Sequence, residues 1–369
     1  MIYFFVFFMS CIFTHMAHKA FDKNKKRLGI ILSLIAILIP SVLAGLRDTT
    51  VGTDVDYYLT YDLQVASAYS NFIQYYNFIG EELFFALLVF LSNKIFNNIN
   101  VLMFIIQFIM TSLVYIELYR QKDRFSMWLG MTIYFTFAYP RFLNLIRQGI
   151  AVSIVIFSMR YIENRKLSKF LITILVAILF HRTAIFALPL YYLYTLTTNK
   201  NSNNTAYLMM FYIILIVGVG IYDSILEKLV NIGLLPNKYD VYLNKYMKKI
   251  VDFDLFTAIY KGIWILWLII VFKNIKEIDK NSKFYLNLLL LDLILWEMNY
   301  KIANAERLSY YYGLIANMSI FPQIPKTFKK DSRNQTIIYL MIMALCIFYW
   351  WWKFIYFHSG EIYPYKLGI

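Results

Sequence analysis

The sequence predicts an all-α polytopic membrane protein of about twelve transmembrane helices, with re-entrant or short helices among them and two larger external loops. Three observations predict it. The chain of 369 residues is 60% hydrophobic and 19% aromatic, with mean hydropathy +0.56, whereas soluble domains are about 45–50% apolar. Apolar runs of about 14 to 20 residues recur along the whole length, and about 20 helical residues cross a bilayer core. Lys and Arg gather in the short loops between these runs, as topology determinants do. The net charge of +14 is therefore loop charge, and no nucleic-acid partner is expected. The alternating pattern of a transmembrane barrel is missing. Cys11 and Cys346 fall inside apolar runs, so no disulfide framework is expected. No repeat period or separate soluble domain is visible, and residues 1–369 read as one integral-membrane domain in the bilayer.

Met1–Ala17 is apolar with no basic residue ahead of it, and Lys19, Lys23, Lys25, Lys26 and Arg27 follow against Asp22 alone. A cleaved signal peptide carries its positive charge first, so this is a retained helix leading to a cytoplasmic loop. His15 and His18 are interface residues at its inner end. Leu28–Leu46 then runs outward. Residues 47–82 form the first external segment, with Arg47 against Asp48, Asp54, Asp56, Asp62, Glu81 and Glu82. The string GLRDTTVGTDVDYYLTY suits sugar binding, because aromatic faces cover apolar sugar faces and carboxylates accept from hydroxyls. A solvated acidic loop with interfacial tyrosines fits the same composition.

Leu83–Phe96 is apolar but short, Val101–Leu118 is a clear span, and the loop Arg120–Arg124 is basic and cytoplasmic. A single crossing at Leu83–Phe96 would put Arg120 on the wrong side. Either that segment dips in and returns, which is tolerated only against protein or a wet cavity, or Ala66–Ile79 crosses as well. Ser126–Tyr139 goes out, Pro140–Gln148 is external, and Gly149–Tyr161 returns to Arg160, Arg165, Lys166 and Lys169. Phe170–Phe180 rises to His181 and Arg182, and Thr183–Leu196 descends; both are short, which places the tip in a funnel. Tyr207–Tyr222 leads to the second external segment, residues 223–255, long enough for amphipathic helices over the site. Phe256–Phe272, Phe284–Asn299, Leu308–Ile324 and Thr336–Trp352 complete the spans and leave the YPYK tail outside. Asp292 and Glu297, inside a span, are expected to pair with Lys301 or nearby Asn residues, or to join the same chamber.

Two polar islands interrupt this apolar chain, PRFLNLIRQGIA from Pro140 and FHRTA from Phe180. A charge at bilayer depth costs about 2.5–3.5 kcal/mol on insertion scales, so such groups point to a wet cavity or a charged ligand. At 100° per residue Arg141, Asn144, Arg147 and Gln148 fall within an arc of about 120° and could face one cavity. Arginine suits phosphate because its planar fork donates two bonds and stays charged; snorkelling to headgroups is the alternative. His181, beside Arg182, could serve a leaving phosphate, carry a proton or bond a carbonyl. Glu81 and Glu82 could complement a helix dipole, or a glutamate in a low-dielectric cavity could have a raised pKa and act as base. Asp54 and Asp56 compete for that role. No H-x-x-x-H or C-x-x-C spacing occurs, so no metal is expected. Counting charges places Arg47, Asp54, Asp56, Glu81, Glu82, Arg141, Arg147, His181 and Arg307 at one outer end.

LAGLRDTTVGTDVDYY, EELFFALLVFLS, the block from NLIRQGIAVS to LPLYYL, ERLSYYY and the late PYK resemble the EpsG family of Wzy-like polysaccharide polymerases. The resemblance runs from residue 43 to the C-terminus and is specific in the central block. It implies a bacterial inner-membrane glycosyltransferase whose active site faces the periplasm or exterior. Such an enzyme joins undecaprenyl-pyrophosphate-linked glycans into capsule, O-antigen or exopolysaccharide. No cofactor is implied; a flippase and a chain-length regulator are the implied partners. The matching positions are Arg47, Gly52, Asp54, Glu82, Arg147, Gln148, His181 and Arg307; Arg141 joins them as a substrate- or pyrophosphate-binding candidate, with Glu81, Asp56 and Arg182 as secondary candidates. On this reading Arg147 and Arg307 hold pyrophosphate and Arg47 contacts a second lipid. Glu82 or Asp54 is the base, and His181 orients phosphate or passes the proton. A lipid-linked oligosaccharide flippase and an O-antigen-ligase-like transferase are the rival readings.

Overall fold

The computed structural model describes residues 2–199, 204–220, 281–300, 305–328 and 332–368, with isolated positions between 228 and 265. The second external segment, residues 223–255, therefore lies almost wholly outside the described residues, and of the Phe256–Phe272 span only 257–262 and 265 are described. Regular structure among the described residues is helical, apart from one isolated bridge between Arg47 and Leu367. Among the described residues four helical stretches are long and apolar enough to cross a membrane: Ile2–Asp22, Lys26–Gly45, Ile99–Arg120 and Arg333–Tyr356. The chain divides into two units, one of Met1–Leu188 with Asn317–Ile369 and the other of Pro189–Ala316.

In the larger unit, α1 (Ile2–Asp22) and α2 (Lys26–Gly45) form an antiparallel pair. The buried face of α1 carries small residues at helical spacing, Ser10, Thr14, Ala17 and Ala20. Small residues let helix backbones approach where lipid offers no hydrophobic drive. Pro40 lies inside α2 and has no N–H to offer the carbonyl of Ala36, four residues back. Ser10 Oγ donates to that carbonyl at 2.6 Å, so α1 satisfies the group that the proline leaves open. Gly45 packs so closely on the next long helix that a Cβ there would sit 2.8 Å from the Phe104 Cβ.

The chain then forms α3 (Thr60–Ala68), α4 (Phe72–Ile79) and α5 (Leu83–Phe96) before α6 (Ile99–Arg120). Nine and eight helical residues reach only about 12–14 Å, so α3 and α4 are each too short to cross. The break between them, with Asn71 capping α4 through Ile73 N–H, removes the Ala66–Ile79 crossing weighed from the sequence. Asn100, in the first turn of α6, donates to Gly45 O at the C-terminal end of α2 at 2.7 Å. The far end of α6 meets the far end of α9 (Ile146–Glu163), where Arg120 joins Glu117 and Glu163, Arg124 joins Glu163 and Arg160 joins Glu117. Glu82, at the start of α5, meets Arg147 at the start of α9. The start of α5 and the start of α6 thus both lie at the end of the larger unit that holds Gly45 and Arg147.

Between α6 and α9 the chain runs through α7 (Met127–Ile133), a π-turn at Tyr134–Ala138 and the single turn α8 (Tyr139–Phe142). α9 is the central helix, buried along nearly its whole length, and α10 (Leu167–Phe180) packs back along it. The C-terminal tail closes the end of the bundle formed by Tyr3 and Gly45. Tyr3 donates to Ile362 O at 2.8 Å, Gly52 N–H to Glu361 O at 3.1 Å and Gly368 N–H to Leu46 O at 2.9 Å.

The smaller unit contains α11 (Pro189–Thr198), α12 (Asn204–Gly220), α13 (Ser282–Glu297) and the first turns of α14 (Glu306–Ile320). Tyr194 donates to Asn281 Oδ1 at 3.0 Å and Tyr212 to Asn287 Oδ1 at 2.9 Å. Asp292 pairs with Lys261 at 2.7 Å, and the Lys261 ammonium lies 4.4 Å from the Trp296 ring centroid; Lys301, an expected partner of this acid, lies outside the described residues.

Candidate active site

Three elements of the larger unit meet at one guanidinium. Arg147 lies in the first turn of α9, where the helix dipole already presents positive charge. A cation there needs acidic neighbours, and the residues preceding α5 supply them. Glu81 forms an ion pair with Arg147 Nη1, and Glu82 Oε2 lies 3.1 Å from the same nitrogen. The other Glu82 oxygen lies 3.4 Å from His181 Nδ1 and accepts from the Arg182 N–H at 3.3 Å. His181 reaches it because α10 ends at Phe180 and the chain turns extended at His181 before a 3-10 segment.

This arrangement settles two of the sequence's alternatives for Glu82. It stands at the N-cap position of α5, yet its side chain makes no capping hydrogen bond there and turns to α9 and α10 instead. Burial pushes its carboxyl up, but the His181 ring and the Arg182 N–H outweigh burial and hold it below the usual glutamate range. The raised pKa expected of a cavity glutamate is therefore not found. A carboxylate this well partnered is a strong anchor and a weak base.

The polar island does not form the arc read from helix spacing, because α8 ends at Phe142 and α9 starts only at Ile146. Arg141 is parted from Arg147 by this break. Its guanidinium bonds the Tyr349 hydroxyl and lies 5.8 Å from the Phe354 ring centroid. Asn144, in the break, accepts the Asp54 N–H at 2.8 Å and so ties the first external segment to the start of α9. Gly52 makes that approach possible: its φ is +95°, and a Cβ would sit 3.0 Å from Leu143 O. Gln148 is buried beside Arg147.

Beyond Asp54 the chain winds through a π-turn at Val55–Leu59 into α3, so Asp54, Tyr58 and Asp62 recur on one side. All three act electrostatically on Arg147. The sequence reading counted Asp62 only as loop acidity, although the four-residue spacing of Asp54, Tyr58 and Asp62 was there to be read. Asp62 is 4% exposed, with Tyr75 of α4 donating to its backbone carbonyl at 3.3 Å. Burial pushes its carboxyl up to about 6, with Arg147 opposing.

The other expected site residues have surroundings of their own. Arg47 is only 2% exposed, points its Nε at the Met103 sulfur 3.3 Å away, and shares its pocket with Tyr3, Tyr139 and Tyr365. Asp56 is exposed and accepts from Thr49 at 3.1 Å. The Arg182 side chain is exposed. Arg307 belongs to the smaller unit, half-buried in the first turn of α14. Among the described residues no group of three His, Cys, Asp or Glu is placed to hold a metal ion.

No match is found among curated proteins or among solved structures. The sequence profile of the EpsG family matches residues 30–367. That stretch takes in α3, α5, α9 and α10 with every acid, arginine and histidine that they bring together, and the chain belongs to the EpsG family, a family of Wzy-like polysaccharide polymerases.

Proposed function

We propose that this chain is an inner-membrane glycosyltransferase that polymerises undecaprenyl-pyrophosphate-linked oligosaccharide repeat units into capsule, O-antigen or exopolysaccharide. The observation that carries this reading is the meeting of Arg147, Glu81, Glu82 and His181 at the start of α9. Helix N-termini are ready anion sites. Here one is reinforced by a guanidinium, and two carboxylates satisfy it. Pyrophosphate oxygens have the same charge and hydrogen-bonding capacity as those carboxylates and would compete with them for Arg147.

In the reaction, a hydroxyl of one lipid-linked glycan attacks the anomeric carbon of another. The new glycosidic C–O bond forms as the C–O bond to pyrophosphate breaks. The hydroxyl proton passes to a carboxylate, and the electron pair leaves on the pyrophosphate. Arg147 and the α9 terminus offset that developing charge; removing one such preorganised donor typically costs about 10²–10³ in rate. The donor is already activated, so the chemistry requires no nucleotide or metal.

Basic loops face the cytoplasm. The end of the larger unit bearing Arg120, Arg124, Arg165 and Lys166 is accordingly assigned there, and the Arg147 end to the periplasm or exterior. A flippase would deliver the substrate to that face, and a chain-length regulator would act on the product. Purified protein with synthetic lipid-linked repeat units tests the reading. A ladder of elongated products is expected. Transfer of a finished glycan without elongation would replace the reading with a ligase, lipid movement without covalent change would replace it with a flippase, and inert substrate would overturn it.

A further inference from the structure

Glu82 is committed on both oxygens, to Arg147 on one side and to His181 and Arg182 on the other. A general base needs a carboxylate with a lone pair to spare and a pKa near the working pH. Asp62 differs from Glu82 in this respect. Its side chain is almost fully buried on α3, and among the described residues no hydrogen bond or ion pair holds its carboxylate. A buried carboxylate without partners is costly to keep, and nothing in the packing of α3 requires one. Asn93 and Lys94 of α5 hold the α3 carbonyls of Leu63 and Ala66 at 3.1 and 3.0 Å, so the helix is anchored without the Asp62 side chain. The groups acting on that carboxylate are Arg147 from α9 and the Tyr75 ring from α4, while Lys94 of α5 is spent on the Ala66 carbonyl. Tyr57, Tyr58 and Tyr61, all at least half exposed, flank it along the chain and offer the aromatic faces that sugars stack on.

We propose that Asp62 is the catalytic base of the glycosyl transfer, taking the proton of the attacking sugar hydroxyl, while Glu82 positions Arg147 and His181. This rests on the polymerase reading above. The acceptor O–H bond breaks toward Asp62 as its oxygen bonds the anomeric carbon. The pyrophosphate leaves with the electron pair on the Arg147 side. One guanidinium thus lies between the base that gains a proton and the group that gains charge. The burial that raises the Asp62 carboxyl keeps it basic enough for the task near neutral pH.

The test compares wild type with Asp62→Asn, Asp62→Glu and Glu82→Gln, each purified full-length and supplied with synthetic lipid-linked repeat units. Asp62→Asn is expected to lower kcat by about 10²–10⁴-fold while crosslinking to a photoreactive lipid-linked donor stays at the wild-type level. Asp62→Glu restores part of the rate with a displaced acid limb. The wild-type kcat is expected to fall below a pH near 6, and the residual activity of Asp62→Asn to lack that limb. Near-normal turnover in Asp62→Asn, or a wild-type profile flat down to pH 5, overturns the assignment, and the second result does not depend on any variant folding. A wild type that elongates nothing refutes the polymerase reading itself, which is a separate outcome.

Discussion

Glu82 Oε2 lies 3.1 Å from Arg147 Nη1, and its other oxygen lies 3.4 Å from His181 Nδ1, so one carboxylate joins the starts of α5 and α9 to the end of α10. If this anchor holds the guanidinium in place, removing either partner disturbs the other. Arg147→Ala is expected to abolish polymerisation with the amount of membrane protein unchanged, and single repeat units then accumulate on the lipid acceptor. Glu82→Gln keeps the shape, loses the charge and falls less far. The double variant is expected to be no worse than Arg147→Ala alone, because residues in one ion-pair network couple by about 0.5–3 kcal/mol. The length distribution of lipid-linked glycan on a gel reads all three. A normal ladder in Arg147→Ala would remove Arg147 from the site.

The acids near Arg147 carry opposite pH signatures. The Asp62 carboxyl is raised to about 6 in the fold, against about 3.9 in an unfolded chain. Between those values the folded protein binds the extra proton, so this group's contribution to stability is largest at low pH and is lost as pH rises through 6. Glu82 is depressed, so its contribution is present above its unfolded value of about 4.3 and is lost as pH falls through the folded one. Thermal unfolding in detergent is therefore expected to show Asp62→Asn flattening the profile between about pH 4 and 6 by up to about 1.4 kcal/mol per unit. Glu82→Gln leaves that window alone and alters the profile below it. An unchanged slope in Asp62→Asn would mean that the carboxyl is not buried in solution.

Gly52→Ala is expected to damage the site from outside it. The φ of +95° is strained for any L side chain, and the new methyl would press on Leu143 O at 3.0 Å. Left-handed backbone costs about 1–2 kcal/mol for a residue with a Cβ. The contact at risk is the one that lets Asn144 hold the Asp54 N–H. The expected result is a lower thermal midpoint together with reduced elongation. Activity unchanged at full occupancy would show that the Asp54 loop does not need this seat.

The gathering of Glu82, Arg147 and His181 at one end was legible in the sequence because each is a charged or titratable residue beside an apolar run, where its presence needs a reason; their ion pairs were not. Arg141 was misplaced because helix spacing assumes an unbroken helix, and the break at residues 143–145 is set by tertiary packing. Asp62 was passed over because its burial is produced by α4 and α5 folding over α3, a non-local event that local composition does not record. The path of α5 was ambiguous for a related reason. A mostly apolar run of 14 residues can dip or cross, and only non-local contacts such as those of Glu82 and Asn100 show which neighbours its two ends meet.

Arg47 gives the last and sharpest contrast between resemblance and geometry. It matches a family position, yet its guanidinium is enclosed by Tyr3, Tyr139 and Tyr365 beneath the C-terminal tail. The backbone around it bridges to Leu367, and the Asp48 N–H donates to Lys366 O at 2.9 Å. A residue so placed holds the tail against α1 and α2. Arg47→Leu is expected to expose residues 359–368 to protease and to lower the thermal midpoint. The donor KM of the protein that remains folded should stay within about threefold of wild type, as it does when no substrate contact is lost. A tenfold rise in KM with the tail still protected would show instead that Arg47 reaches the substrate, and that the tail opens to let it do so.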